Sequence, residues 1–369
     1  MNHLMIATAL VLSLGVSARG ADYPVDGKAQ EKKDAKMEDV KKAVGTGAPY
    51  AMFTPGKVWL DDRGKPIESH LGGLLYEKGT YYWYGMNFDT ESIKPGTVRG
   101  QIFSWMENRG VTCYSSRDLY NWKFETVSLL PTRDDPKAPL QPTHDICRPK
   151  VIKCDKTGKY VMMAQLFSID LAVNCIVVGL ADTPSGPFAY HGLLNPPDGG
   201  RDITLFKDDD GKAYLIRGYE WVKASVLSDD YLSIASTHDL QGVKGESPAI
   251  FKHEGTYYCL TSQLTGYAPN ANKYSIAKQV LGPWEPKGEF CKGPEANKTF
   301  GGQTTFVLPV AGVPGAFIFL ADRWNSKTEY ITEHRDATHI WLPITIDAAT
   351  KTIQVPWRDT WDLDVFKQK

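Results

Sequence analysis

The sequence predicts an all-β fold, a five-bladed β-propeller. Three observations point to it: one hairpin-like pattern recurs five times, each copy turns on a glycine, and helical periodicity is almost absent. The clearest copy is Glu246-Ser247-Pro248-Ala249-Ile250-Phe251, a turn at Glu254-Gly255, then Thr256-Tyr257-Tyr258-Cys259-Leu260-Thr261. β-branched and aromatic residues are frequent in such runs because they suit a pleated, half-buried surface. Repeats spaced by roughly 45–80 residues are what radial repetition of small sheets produces. A β-sandwich is the structural alternative, and the repetition of strand pairs favours the propeller.

Taken in order, the chain opens on an apolar run from Leu4 to Val16, followed by Ser17-Ala18-Arg19-Gly20-Ala21. The run is too short to span a bilayer, so residues 1–21 read as a secretory signal peptide and predict a secreted or periplasmic protein. No other segment reaches the roughly 18 apolar residues of a membrane helix, so no membrane insertion is expected. Residues 22–49 are polar and lysine-rich and read as a flexible lead-in. Residues 50–369 are assigned to the propeller. Val58-Trp59-Leu60 and the turn Asp62-Arg63-Gly64-Lys65 form its entry.

The hairpin copies follow. They begin at Gly73-Leu74-Leu75-Tyr76, Arg148-Pro149-Lys150-Val151-Ile152, Asp202-Ile203-Thr204-Leu205-Phe206, Glu246 and Gln303-Thr304-Thr305-Phe306-Val307. Their turn glycines are Gly79, Gly158, Gly211, Gly255 and Gly315. Most copies have a second half that runs into a turn, often followed by an aromatic residue, as in Cys113 to Trp122, Ile176 to Phe188 and Tyr274 to Trp284. Each unit therefore holds about four short strands, as a propeller blade does. The innermost strand of a blade faces the central channel. His70/Gly72, Cys147/Arg148, Asp202, Glu246 and Gln303 start those strands, so they are expected to meet at one mouth. Ionisable and amide groups converging from separate blades make a site pattern rather than a stability pattern.

Composition narrows the partners. Forty-two Lys and Arg balance 43 Asp and Glu, for a net charge of −1. That balance gives no support for nucleic-acid or anionic-membrane binding. Ten Trp and 18 Tyr suit sheet packing and also carbohydrate stacking. Six cysteines lack the CxxC spacing of a zinc site, and several sit in apolar strands as free thiols would. Asp208-Asp209-Asp210-Gly211 reads as a hairpin turn, since it lacks the later Glu of a calcium loop. No cofactor or metal is expected, and the protein is expected to be a monomer.

In this order, on this repeat, the residues resemble glycoside hydrolase family 43, closest to the branch of exo-β-1,3-galactanases and related arabinofuranosidases and galactofuranosidases. The carrying motifs are Gly72-Gly73 with Thr80-Tyr81-Tyr82-Trp83-Tyr84-Gly85, Arg148-Pro149-Lys150-Val151, Arg201-Asp202-Ile203, Glu246-Ser247-Pro248-Ala249, Thr265 to Asn270, Gln303-Thr304-Thr305, Asp322-Arg323-Trp324 and Trp341-Leu342-Pro343. The resemblance implies an exo-acting, inverting glycosidase on an oligo- or polysaccharide of galactan or arabinan type. It places the general acid at Glu246 and a carboxylate that tunes it at Asp202. Most of the family carries an Asp base on the first inner strand, where this chain has Gly72-Gly73. The galactanase-like branch is thought to use a Gln instead, and Gln303 matches it. Cys147, Arg148, Tyr267, Asn270, Trp324 and Met86 match positions expected to bind substrate.

Two departures stand out: Cys147 and Met86 each replace a Glu usual in that branch. They predict weak action on unsubstituted galactan. The competing reading is a non-catalytic carbohydrate-binding propeller that has lost its base. A protein-interaction propeller is disfavoured by Asp202 and Glu246 facing the channel.

Overall fold

The computed structural model describes residues 49–87, 108–168, 172–266, 268–324 and 337–367. The expected signal peptide, nearly all of the lead-in, and Tyr267 lie outside the described residues.

Four sheets have four antiparallel strands each, laid down in chain order. The first holds β1 (His70–Glu77), β2 (Thr80–Met86), β3 (Val111–Ser116) and β4 (Lys123–Leu129). The second holds β5 (Asp145–Lys153), β6 (Tyr160–Phe167), β7 (Asn174–Ala181) and β8 (Ala189–Leu194). The third holds β9 (Ile203–Lys207), β10 (Ala213–Tyr219), β11 (Trp221–Leu227) and β12 (Ile234–Lys244), and the fourth β13 (Glu246–His253), β14 (Thr256–Ser262), β15 (Lys273–Ala277) and β16 (Trp284–Glu289). After β17 (Cys291–Lys292), a three-stranded sheet is made by β18 (Gly302–Pro309), β19 (Phe317–Arg323) and β20 (Thr338–Pro343). The strands β21 (Thr345–Ile346) and β22 (Ile353–Pro356) join β17 in a further small sheet, in which β17 and β22 run parallel.

The architecture is an all-β propeller, but the count of five blades is corrected: the described residues form six sheets. The sixth was hidden because two of its strands are only two residues long. A two-residue strand has no alternation to read, and pairing between distant segments leaves no local signal. The first strands β1, β5, β9, β13 and β18 pack side by side, and β18 returns to β1, which closes a ring. The sixth sheet packs on β20 outside it.

Local chemistry explains the hairpins. At Glu254-Gly255 both residues take positive φ, 45° and 69°, and His253 pairs directly with Thr256. This is the twist-matched two-residue turn that needs φ > 0 at both centres, which glycine adopts without a Cβ clash. Between sheets, apolar side chains interdigitate. Trp83 of the first sheet and Trp341 of the fifth pack with ring centroids 4.8 Å apart, and Trp122, just before β4 of the first sheet, adds to them 5.3 Å from Trp83. The entry segment is pinned by a bridge from Phe53 to Trp361, whose rings stack at 4.2 Å. All six cysteines are buried and free.

One local feature positions the site. Leu71, Arg148, Asp202 and Ser247, none of them glycine, sit at φ 56°, 53°, 46° and 57° at the entrance of four successive ring strands. In β1, β5 and β13 the pairing register breaks there, between His70 and Gly73, Cys147 and Lys150, and Glu246 and Ala249. Such bulges re-aim a side chain that regular pleating would point elsewhere. The buried Lys150 amine donates to the carbonyls of Leu71 (2.9 Å) and Arg148 (3.4 Å), tying two of these kinks together.

Candidate active site

Arg148 is the hub. Its Nε donates to Asp202 Oδ1 at 2.9 Å, and its Nη2 donates to Gln303 Oε1 at 3.0 Å and to the Ser247 hydroxyl. Asp202 Oδ2 accepts from the Ser247 backbone N–H (3.0 Å) and from the Ser247 hydroxyl (3.2 Å). The Asp202 backbone N–H is held by Gln165 Oε1 at 3.0 Å. Gln303 Nε2 donates to Glu246 Oε1 at 2.9 Å, and Trp324 Nε1 reaches Gln303 Oε1 at 3.4 Å. One hydrogen-bonded chain thus joins Asp202, Arg148, Gln303 and Glu246 from four sheets. Arg148 and Asp202 are themselves left-handed, and Glu246 stands beside left-handed Ser247.

Electrostatics separates the two carboxyl groups. Burial pushes the Glu246 carboxyl up to about 7, and the negative charge of Asp202 adds to this. Arg148, Arg201 and the bond from Gln303 pull the other way. Glu246 is therefore substantially protonated at neutral pH. The Asp202 carboxylate that faces it accepts from three donors, Arg148 Nε, the Ser247 N–H and the Ser247 hydroxyl.

Beneath this chain lies an apolar floor of Leu71, Met86, Cys147 and Trp324. The thiol of Cys147 lies 3.7 Å from Met86 Sδ and donates to Asp145 Oδ2 at 3.5 Å. Sequence reasoning missed Asp145. It sits two residues before Cys147 on β5, hence on the same face, and is fully buried. Burial raises its carboxyl to about 7, against the pull of the Cys147 thiol, the Ile146 N–H and Arg109. Asn270 lines a small hollow with Gln303 and Trp324, but its side chain is consumed in holding its own loop. Its Nδ2 donates to Thr265 Oγ1 (2.7 Å) and to Gln263 O (3.0 Å), and its Oδ1 accepts from the Gln263 N–H (3.1 Å).

The missing Asp of the first strand has a steric reason. A Cβ at Gly72 would meet Tyr84 O at 1.7 Å, and one at Gly73 would meet Lys150 Cδ at 2.5 Å. No side chain fits at Gly72 without moving the backbone of β2.

A second polar group lies behind the floor. His70, Asp322 and His339 are all buried, with donor atoms within 4.8 Å of one another, close enough to share a divalent cation. The group also closes on protons alone. His339 Nδ1 faces Asp322 Oδ1 at 3.1 Å and its Nε2 faces Ile67 O at 3.1 Å. Burial disfavours charge on His70, but hydrogen bonds and charges from Asp322 and Glu68 outweigh it and raise its pKa to about 9. Asp322 also accepts from the Leu71 N–H, so the network braces the first kink. His339 is a buried member of this network.

The family model of glycosyl hydrolases family 43 matches residues 73–338, most of the chain. The chain belongs to glycosyl hydrolases family 43. A family 43 β-1,3-galactosidase superposes with a TM-score of 0.75 at 34% identity, over 86% of this chain and 64% of that one. A second, solved with galactodeoxynojirimycin, gives 0.74 at 32%, over 84% of this chain and 100% of that one. An exo-β-1,3-galactanase of Phanerochaete chrysosporium, solved with β-1,3-galactotriose, gives 0.73 at 28%, over 86% and 69%. Among curated proteins, xylosidase/arabinosidase 43B of Humicola insolens is 28% identical over 232 residues, 54% of this chain. Invertase 2 of Saccharomyces cerevisiae is 24% identical over 220 residues, 56% of this chain. The matched segments span only 40% and 35% of those two proteins.

Proposed function

We propose that this family 43 chain is an exported, exo-acting glycoside hydrolase that removes terminal sugars from a galactan-type glycan with inversion. Glu246 is its general acid, Asp202 the anion that keeps that acid protonated, Arg148 the clamp that orients both, and Gln303 the group that positions water. The carrying observation is Glu246 itself, a buried carboxyl raised to about 7 at the mouth of the ring, facing the Arg148–Asp202 pair. A general acid works best with a pKa near the working pH. The solved β-1,3-galactosidases and the exo-β-1,3-galactanase support the substrate class.

Contact between Gln303 and Glu246 constrains the mechanism. Inverting enzymes hold acid and base roughly 6.5–9.5 Å apart, leaving room for sugar and water. Here the two side chains touch, so the resting site is closed on itself. Substrate must break the Gln303–Glu246 bond, while Arg148 and Trp324 retain the Gln303 carbonyl. The same contact, with Gly72-Gly73 where most of the family carries the Asp base, favours the second reading of a sugar-binding propeller without turnover. A screen of aryl galactoside, arabinofuranoside, galactofuranoside and xyloside separates the two. Binding without release of the aryl group by any of them would select the second.

The pH profile is expected to follow Glu246. The acid must carry its proton, so kcat/KM should fall as pH rises through about 7. Asp202→Asn removes a charge that raises the Glu246 pKa, so this alkaline limb should move to lower pH. An unmoved limb in the variant would show that Asp202 does not tune the acid.

The floor sets an expectation for the terminal sugar. A thiol is a weak donor and acceptor, so a sugar hydroxyl that a Glu would bind is left underpaired at Cys147. Such a loss costs roughly 1–3 kcal/mol, about 5- to 150-fold, so unsubstituted β-1,3-galactotriose should be a poor substrate. Cys147→Glu alone would put a second carboxyl beside buried Asp145, and like charges there oppose ionisation. The double variant Cys147→Glu/Asp145→Asn should therefore gain more turnover of galactotriose than Cys147→Glu. Efficient cleavage by the natural protein, unaltered in both variants, would refute this account of the floor.

A further inference from the structure

The β10–β11 hairpin carries two large aromatic rings that the site does not use. Tyr219 and Trp221 are 46% and 51% exposed, although most of the large aromatic side chains among the described residues are buried. They pair across a turn whose centre, Glu220, is a non-glycine at φ 73°. The turn is fastened to the residues that lead into both site carboxyl groups. Gly218 N–H donates to Arg201 O at 3.1 Å, one residue before Asp202, and Gly245 N–H donates to Glu220 O at 3.0 Å, one residue before Glu246. In the sheet, Trp221 pairs with Lys244.

Each ring has a cation over it. The Arg201 guanidinium carbon lies 3.9 Å from the Tyr219 centroid, and Lys244 Nζ lies 4.2 Å from the Trp221 centroid. A ring held in this way keeps its orientation without a bound partner, so a ligand stacking on it loses less freedom in ordering it. Isolated exposed aromatics are ordinary. Two rings on one strained turn, both fixed and both tied to the entrances of Asp202 and Glu246, are not explained by packing.

We infer that Tyr219 and Trp221 form the platform for the leaving-group side of the glycan, the sugar unit just beyond the bond that is cut. The inference rests on Glu246 being the acid. The floor under the terminal sugar comes from the first, second and fifth sheets, through Leu71, Met86, Cys147 and Trp324. The platform belongs to the third sheet, which packs against the fourth, the sheet that carries Glu246. A chain of sugars with its end on the floor and its scissile oxygen on Glu246 continues over the hairpin. The apolar C–H face of a pyranose and the flat face of an aromatic ring suit one another, and the stack would form on the ring faces that Arg201 and Lys244 leave uncovered.

The test compares two substrates that differ only beyond the scissile bond, β-1,3-galactotriose and β-galactosyl fluoride, whose leaving group is one atom. In Trp221→Ala the ratio of kcat/KM on the trisaccharide to that on the fluoride should fall about ten-fold, a size suited to one lost stacking contact, mostly through KM. Tyr219→Ala should act in the same direction, and Trp221→Phe should restore most of the ratio. An unchanged ratio, or equal losses on both substrates, would overturn the platform and mark the hairpin as structural or as a surface for another molecule. Glu246→Gln is run beside it. If that variant cleaves the trisaccharide at the parent rate, or if the natural protein turns over neither substrate, the underlying reading of the site fails. If Glu246→Gln is inactive on the trisaccharide while Trp221→Ala leaves the ratio alone, only the platform fails.

Discussion

Glu246→Gln is expected to lower kcat/KM on natural oligosaccharides by about 10²–10⁴, the usual contribution of a positioned general acid. Shape and hydrogen bonding are nearly conserved, because an amide at this position can still accept from Gln303 Nε2. What disappears is the proton given to the leaving oxygen. The loss should therefore scale with the basicity of the leaving group. A good leaving group such as fluoride or a dinitrophenolate should suffer least, and an unactivated sugar most. Thermal unfolding should stay close to that of the parent. Parent-like rates on unactivated oligosaccharides would mean that the acid lies elsewhere.

Arg148→Met should be the most damaging change to the fold of the site. The guanidinium is buried and serves Asp202, Ser247 and Gln303 at once. Methionine fills similar volume but leaves Asp202 without its ion-pair partner beside a second carboxyl. Removing one partner of a buried pair typically costs about 3–5 kcal/mol, which should lower Tm by about 5–10 °C. Arg148 also holds the Glu246 pKa down, so any residual activity should show an alkaline limb at higher pH. Arg148→Lys returns the charge without the planar fork and should recover stability more than activity. The clamp would be refuted by an Arg148→Met protein with parental Tm and parental kcat/KM.

Much of this arrangement was legible in the sequence. Glycine turns mark strand ends because few residues accept positive φ, so the hairpins and the ring strands could be placed. The starts of those strands then named Arg148, Asp202, Glu246 and Gln303 as neighbours. What stayed hidden depends on register or on very short segments. Asp145 shares a face with Cys147 only because β5 begins early enough to include it. Asp322 meets His339 and Gln303 through cross-strand pairing in the fifth sheet, a relation that no spacing along the chain displays. Tyr219 and Trp221 lie on two strands among many aromatic residues, and only their exposure sets them apart.

The four left-handed residues at the ring entrance bear on how this protein could be engineered. A non-glycine residue in that conformation costs about 1–3 kcal/mol, and Leu71, Arg148, Asp202 and Ser247 all hold it within one mouth. Stability has been given up there in favour of aim. A consensus or computational search for thermostable variants would be drawn to these positions, since glycine relieves the strain. At Ser247 that relief would delete the hydroxyl between Arg148 and Asp202, and at Leu71 it would loosen the floor. Durable variants of this protein are better sought on the outer strands, where sturdiness and the site do not compete for the same residues.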